Sequence, residues 1–525
     1  MLGGFIWEWC DQGLHQRTAD GKTFTAFGGD FGDMPNHGGF AIKGLVSAER
    51  EIFPKYWEVK KVYQPVMIEP VNLKPGKVAV KVTNRNSFVN LTNYEARWSV
   101  RSSDGEEIQS GVLNPLDCAA GISCVVKIPV AKVAAGILPA VEPGFQPGGK
   151  KLTARESLKN FQAAKNSDAS PGGRMPPSTA GKMPAATESW LRVSFHTKTD
   201  SLWANAGHEI AWQQFKVESK AAGKAISAAP GTGALRRLSL AEAGDAVKIS
   251  GADFSATFSR AAGGLVSLTF GGREMLAGGT PALQLFRAPT DNDKGFGKWL
   301  ARDWREAGLT NLVRQVESFD VVQTKSGDVK ISTMATSRAA TGGYELKTLW
   351  TIRGDGTLEM ANEFKPFGTL PLLPRVGIVM PLAKDFENIR WLGRGPWENY
   401  SDRKESADMG VWKSTVSGQY VPYVRPQENG NKEDVRWVEL TDTGGNGLKI
   451  SAVENPFTFS ALHFTAQDLA SVRHNYELKP RPEIILSLDA KMSGLGNSSC
   501  GPGVLEKFSV PPTNYFLHLK FSPVI

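Results

Sequence analysis

Along most of this chain apolar side chains return at every second residue, and that period leaves little besides β-structure open to it. The run YELKTLWTIRGDGTLEMANEF shows the alternation twice, on either side of Gly354-Asp355-Gly356, as two strands joined by a turn would. Val78, Val80 and Val82 alternate with polar neighbours, as do Leu191, Val193 and Phe195. Ser103-Asp104-Gly105 separates two more strand-like runs. Helical periodicity is nearly absent, apart from a short stretch near KWLARDWREAG. A chain of 525 residues is too long for one core. We therefore expect a mainly β protein. Residues 66–227 suit a β-sandwich, and residues 228–525 exceed a small sandwich and predict one large twisted double sheet.

The first 65 residues read differently. Gly3 to Trp9 is a bulky apolar run of the kind that forms a fully buried strand. The stretch GGDFGDMPNHGGF is rich in turn formers and predicts loop. Pro54 then opens a helix, KYWEVKKVYQ, stopped by Pro65, with Tyr56, Val59 and Tyr63 on one face. Strand, loop and helix together read as the last unit of a β/α barrel, a remnant that buries little alone and is expected to be weakly anchored. Residues 134–189, rich in Ala, Gly, Pro and Ser, predict a disordered insertion in the sandwich, with a short helix at ESLKNFQAAK.

Composition excludes several classes. The net charge of +8 is spread in pairs such as Lys60-Lys61 and Arg236-Arg237, unlike the concentrated patch of a nucleic-acid binder. No apolar run is long enough to span a bilayer. The start carries Glu8 and Asp11 and lacks a basic region, which argues against a secretion signal and for the cytoplasm. Cys118 and Cys124 are close enough in sequence to pair, but four free thiols in a reducing compartment is the simpler reading. No CxxC or HExxH spacing points to zinc.

If Gly3–Trp9 is a barrel strand, its C-terminal end faces an active site. Trp7 there is either a flat platform for a sugar or a core residue. Glu8 is a carboxylate without a partner at glycosidase spacing. Trp397, Glu398, Tyr400, Asp402 and Arg403 read as a buried turn network in a β-rich unit.

The motifs GGFIWEWCDQGL, FGGDFGDMPNHGGFAIKGLV, AGHEIAWQQF, LFRAPTDNDKG, WLGRGPWENYSDR, YVPYVRPQENGN and SGLGNSSCGPG resemble, in order, the C-terminal portion of family 2 β-galactosidases. The resemblance implies a mainly β chain, with a remnant of a β/α barrel at 1–65, an immunoglobulin-like β-sandwich at 66–227 and a large β-supersandwich at 228–525, and it implies retaining hydrolysis of terminal β-D-galactosides. It implies that the acid/base and nucleophilic glutamates lie on earlier barrel strands, so that no catalytic residue is expected in this chain and Glu8 is not one. Trp7 matches the tryptophan that floors the galactose subsite. Asn36 matches a position linked to magnesium, and Phe40 one whose backbone carbonyl binds sodium.

Three positions depart from the pattern. The sodium-binding asparagine falls at Lys43, whose ammonium either stands in for sodium or points to solvent. A sugar-touching tryptophan falls at Cys500, which leaves aglycone preference in doubt. The mobile loop after Gly295 is shorter. The expected partners are a β-galactoside and the missing barrel half, and a homo-oligomer stays open. Two other readings stay open: a noncatalytic carbohydrate-binding module, and a structural half that reassembles with a separate barrel half.

Overall fold

The computed structural model describes residues 5–74, 76–131, 188–218, 238–295, 299–499 and 501–524. Between Val66 and Glu218 the alternation becomes two packed sheets. One has the strand order Val66–Asn72, Ala79–Asn84, Ser123–Lys127. The other runs Glu107–Val112, Tyr94–Ser102, Glu188–Thr197, Glu209–Glu218. The alternating residues meet between them: Val80, Val82, Leu191, Val193 and Phe195 are fully enclosed. Gly105 turns the chain after Tyr94–Ser102 with φ 85°, a conformation glycine adopts without penalty. Cys10, Cys118 and Cys124 are free thiols. The insertion expected at 134–189, with its helix at ESLKNFQAAK, lies outside the described residues except for Glu188 and Ser189, which open a strand. The expected boundary at 227/228 lies outside them as well.

From Leu238 onward three sheets share one apolar core. The largest has nine strands, in the order Val313–Gln323, Val329–Arg338, Gly342–Ile352, Leu358–Gly368, Tyr515–Val524, Gly447–Ala452, Trp437–Thr441, Asn388–Gly395, Asp408–Thr415. The strands predicted around Gly354–Gly356 pair in register from Gly342 with Gly368 to Ile352 with Leu358. The final strand, Tyr515–Val524, sits in the interior of this sheet. A second sheet, from Ala282–Gln284 through Arg375–Leu382, Ile484–Met492 and Phe457–Leu462 to Lys432–Val435, packs on it through Ile378, Leu486, Trp350 and Phe521. Hairpins from Ser239 to Glu274 form the third. The helix expected at KWLARDWREAG is Leu300–Glu306, with Trp304 buried and its indole N–H donating to Leu372 O at 2.8 Å.

The N-terminal segment departs from expectation. The described part of the first run, Phe5–Trp9, is not a buried strand; Trp7 is 72% exposed. An enclosed strand needs neighbours on both edges. Here one edge is met: Leu45 N donates to Glu8 O, Val46 N to Trp9 O, and Cys10 bridges Val46 in parallel. A hairpin follows, Leu14–Arg17 paired with Thr23–Ala26, which the sequence reading did not anticipate. The glycine-rich loop ends in a 3-10 turn, Gly38–Ala41.

Helix α1, Pro54–Val62, forms where Pro54 predicts it, but its expected apolar face packs only in part: Tyr56 meets Trp9 with ring centroids 5.8 Å apart, while the stripe fails at Tyr63. Tyr63 is 69% exposed, while Lys61 is buried. The reason is that α1 meets two β-units at once through polar and aromatic groups. Lys61 Nζ donates to Trp212 O and, at 2.9 Å, to Gln213 Oε1. Gln64 Oε1 accepts from Trp212 N at 3.1 Å. Toward the large β-unit, the Glu58 carboxylate accepts from Glu405 N and Ser406 N, both at 3.0 Å. The Trp57 ring stacks on Trp397 with centroids 4.9 Å apart. The end of the segment is thereby tied to both β-units.

Trp57→Ala should lower stability by about 2 kcal/mol, since a partly buried indole and its stack are lost. In hydrogen exchange the amides of α1 should lose protection while those of Gly342–Gly368 keep theirs.

Candidate functional site

The candidate site forms where residues 8–12 and 38–44 come together along the Cys10–Val46 bridge. Gly44 permits that approach, because a Cβ there would lie 2.2 Å from Asp11 N. Gly44 N donates to Asp11 Oδ1 at 2.6 Å. Burial raises the Asp11 carboxyl to about 6, against the pull of the Gly44 N–H and the charge of Lys55. Burial in turn lowers the Lys55 ammonium, with Asp11 opposing. Beside this pair opens a depression of about 590 Å³, lined by Glu8–Leu14 with Ala48 and Arg50.

Glu8, Phe40 and Lys43 are drawn together at its edge. Glu8 Oε2 accepts from Gln12 Nε2 at 2.6 Å, and Glu8 Oε1 lies 3.9 Å from Lys43 Nζ. Lys43 Nζ donates to Phe40 O at 2.5 Å and lies 3.1 Å from the Phe40 ring centroid. Trp7 stands open next to Glu8. Asn36 is set apart in its own turn: its Nδ2 donates to Asp33 O at 2.8 Å and its Oδ1 accepts from Gly38 N at 3.0 Å. Cys500 lies outside the described residues.

Magnesium demands a near-octahedral shell of oxygens. Asn36 brings one neutral oxygen, already bonded to a backbone N–H. Among the described residues no group of three or more His, Cys, Asp or Glu is arranged to hold a metal ion. These residues by themselves do not fit magnesium. Nor do they fit sodium at Phe40, whose carbonyl is occupied by the Lys43 ammonium.

The large β-unit holds the other flank. Asp30 accepts from Phe27 N at 2.7 Å and from Arg473 Nε at 2.8 Å, and pairs with His474 Nε2 at 3.1 Å. Burial opposes the Asp30 charge, but these three partners hold its carboxyl below the usual range. The WENYSDR residues serve the fold in the way a turn network does. Buried Glu398 accepts from Arg403 at 2.5 Å, from the Tyr423 hydroxyl at 2.6 Å and from Gly430 N at 2.7 Å. Asp402 accepts from Leu495 N at 2.9 Å and Gly496 N at 2.8 Å. The sequence reading missed Asp11, Asp30, Glu58 and His474. Each is a lone polar residue whose partner is far away in the chain or is a backbone group, so no local spacing marks it.

Asp11 supplies a pH test. Folding raises its pKa, so the folded state holds the proton more tightly and stability falls as pH rises from the unfolded value near 4 through about 6. Asp11→Asn keeps an acceptor for Gly44 N and removes that titration. Denaturant midpoints taken between about pH 4 and about pH 7 should show the variant gaining on the wild type as pH rises; parallel curves would exclude the effect.

Comparison with known proteins supplies the family. Residues 250–522 match the model for the β-galactosidase small chain, residues 80–218 that for β-galactosidase domain 4, and residues 1–68 that for the family 2 glycosyl hydrolase TIM barrel domain. A β-galactosidase of Priestia megaterium is 32% identical over 501 residues, covering 94% of this chain and 42% of that protein. β-Galactosidase BgaC of Bifidobacterium adolescentis is 32% identical over 525 residues, covering 97% and 43%. A β-galactosidase of Halalkalibacterium halodurans is 31% identical over 515 residues, covering 96% and 44%. The chain thus spans less than half the length of these relatives. With the small-chain model matched along more than half of its own length, and the barrel and domain 4 models ahead of it, the chain belongs to the family 2 β-galactosidases.

Proposed function

We propose that this chain is the C-terminal part of a β-galactosidase that hydrolyses terminal β-D-galactosides with retention of configuration. The order of the three family matches supports the reading. The observation that carries it is the open edge at Phe5–Trp9, an apolar run next to the polar cluster of Glu8, Gln12 and Lys43 and hydrogen-bonded along one side. In the complete enzyme the rest of a barrel covers that edge. Trp7 then floors the sugar subsite, its flat ring against the C–H face of the galactose.

Retaining hydrolysis needs two carboxyl groups about 5 Å apart. Near Trp7 the Glu8 carboxylate accepts from Gln12 and the Asp11 carboxyl accepts from Gly44 N, and we infer from the family pattern that neither is the acid or the nucleophile. Both groups come from the part of the enzyme beyond this chain.

The isolated chain is expected to release no nitrophenol from a chromogenic β-galactoside. Fused behind the N-terminal part of the Priestia megaterium enzyme, it should hydrolyse that substrate. Trp7→Ala in the fusion should lower kcat/KM about tenfold to a hundredfold, the loss of roughly 1.4–3 kcal/mol of transition-state binding. Robust turnover by the isolated chain, or a folded fusion silent on galactosides, would remove this reading. A fusion that binds galactose without hydrolysing it would favour a carbohydrate-binding module instead.

A further inference from the structure

The turn at Gly38–Ala41 leaves one carbonyl without a backbone donor. Gly39 O accepts from Ile42 N at 3.1 Å, and Ala41 O accepts from Gln12 N at 2.7 Å. Among the described residues Phe40 O, between them, accepts only from Lys43 Nζ, at 2.5 Å. The same ammonium lies over the Phe40 ring, 3.1 Å from its centroid. Its third neighbour is Glu8. Glu8 Oε1 is buried and has no hydrogen-bond partner, and Lys43 Nζ, 3.9 Å away, is the cation that balances it. Both side chains are about four-fifths enclosed, Lys43 at 21% and Glu8 at 19% exposure.

A carbonyl oxygen, a carboxylate oxygen and an aromatic face form a donor set suited to one monovalent cation. A second positive charge cannot share it, because an ammonium already at hydrogen-bond distance from the carbonyl repels it. We propose that Lys43 is the resident cation of this turn: its covalently attached ammonium does the work of a bound alkali metal ion, so the turn needs no sodium. The proposal rests on the family reading above only for the identity of the ion displaced; the geometry is this chain's own. The physical gain is permanence. A bound ion leaves as its concentration falls, whereas an ammonium on a four-carbon stem stays with the chain.

The test reads ion binding and stability, not hydrolysis, so its outcome is separable from that of the β-galactosidase reading. The full chain is melted in sodium chloride and in choline chloride at equal ionic strength, and ²³Na line widths are recorded in parallel. The wild type should melt at the same temperature in both salts and leave the ²³Na line unchanged. Lys43→Asn restores a neutral oxygen and vacates the charge. It should melt a few degrees lower in choline chloride and recover in sodium chloride. Lys43→Met should lose the same stability and recover in neither salt. A wild-type chain that broadens the ²³Na line or melts higher in sodium chloride would overturn the proposal. So would a Lys43→Asn chain indistinguishable from wild type in both salts. Should Lys43→Asn fail to fold in either salt, the wild-type measurements alone still decide.

Discussion

The placement of the N-terminal edge depends on one short helix that does not dock by an apolar stripe. In α1 the Glu58 carboxylate takes two consecutive backbone N–H groups of the large β-unit, at Glu405 and Ser406. Hydrogen bonds to a charged acceptor are stronger and more directional than neutral ones. Three residues on, along the same flank, Lys61 and, just past the helix, Gln64 bind the backbone of Trp212 in the sandwich. A helix held this way fixes both angle and register between two β-units. The site residues upstream inherit that position through Phe53, whose ring lies 5.2 Å from that of Tyr423.

Beneath the segment, the large β-unit is charged where a core would usually be apolar. Arg287 pairs with Asp293 at 2.7 Å, and Arg375 with Asp489 at 2.5 Å, all four enclosed. Arg287 also donates to Ser493 O at 2.9 Å and Gly494 O at 3.0 Å. Buried charge is tolerated when each group is paired and its remaining donors are used. Glu428 pays the cost visibly: burial raises its carboxyl to about 7, although Arg375 and Arg287 pull it down. The first pair holds Asp293 in the Thr290–Gly295 turn, where the same carboxylate also accepts from Thr290 N at 2.9 Å, and Asp291 of that turn stands at ordinary contact distance from Gly39. The polar floor under the candidate site is thereby held by paired, buried charges.

The β-architecture was legible because alternation is a local signal. Val80 and Val82, or Leu191 and Phe195, declare their buried face within a few residues of one another. The strand pair around Gly354–Gly356 carries its own turn. The first run failed for the opposite reason. Phe5–Trp9 has the composition of a buried strand, but burial depends on neighbours that composition does not reveal. The face of α1 is legible only in part: Tyr56 of the stripe meets Trp9, but Tyr63 is exposed, and the contacts of Lys61 and Trp57 with the β-units carry no local pattern. At the site, Trp7, Phe40 and Lys43 were found through family motifs. The contact between Lys43 and the Phe40 carbonyl needed three-dimensional geometry, since a spacing of three residues alone does not say which atom the ammonium meets.

The last strand, Tyr515–Val524, lies between Leu358–Gly368 and Gly447–Ala452. Its neighbours on one side are made long before it on the ribosome, and those on the other side do not hydrogen-bond to the first group except through it. During synthesis the nine-stranded sheet thus exists as two partial sheets, each with a bare edge open to pairing with other chains. They join when the C-terminal residues emerge, which makes the closing step one of high contact order and late in time. Loss of these ten residues alone would leave the sheet divided, so the integrity of the large β-unit hangs on one short stretch of chain.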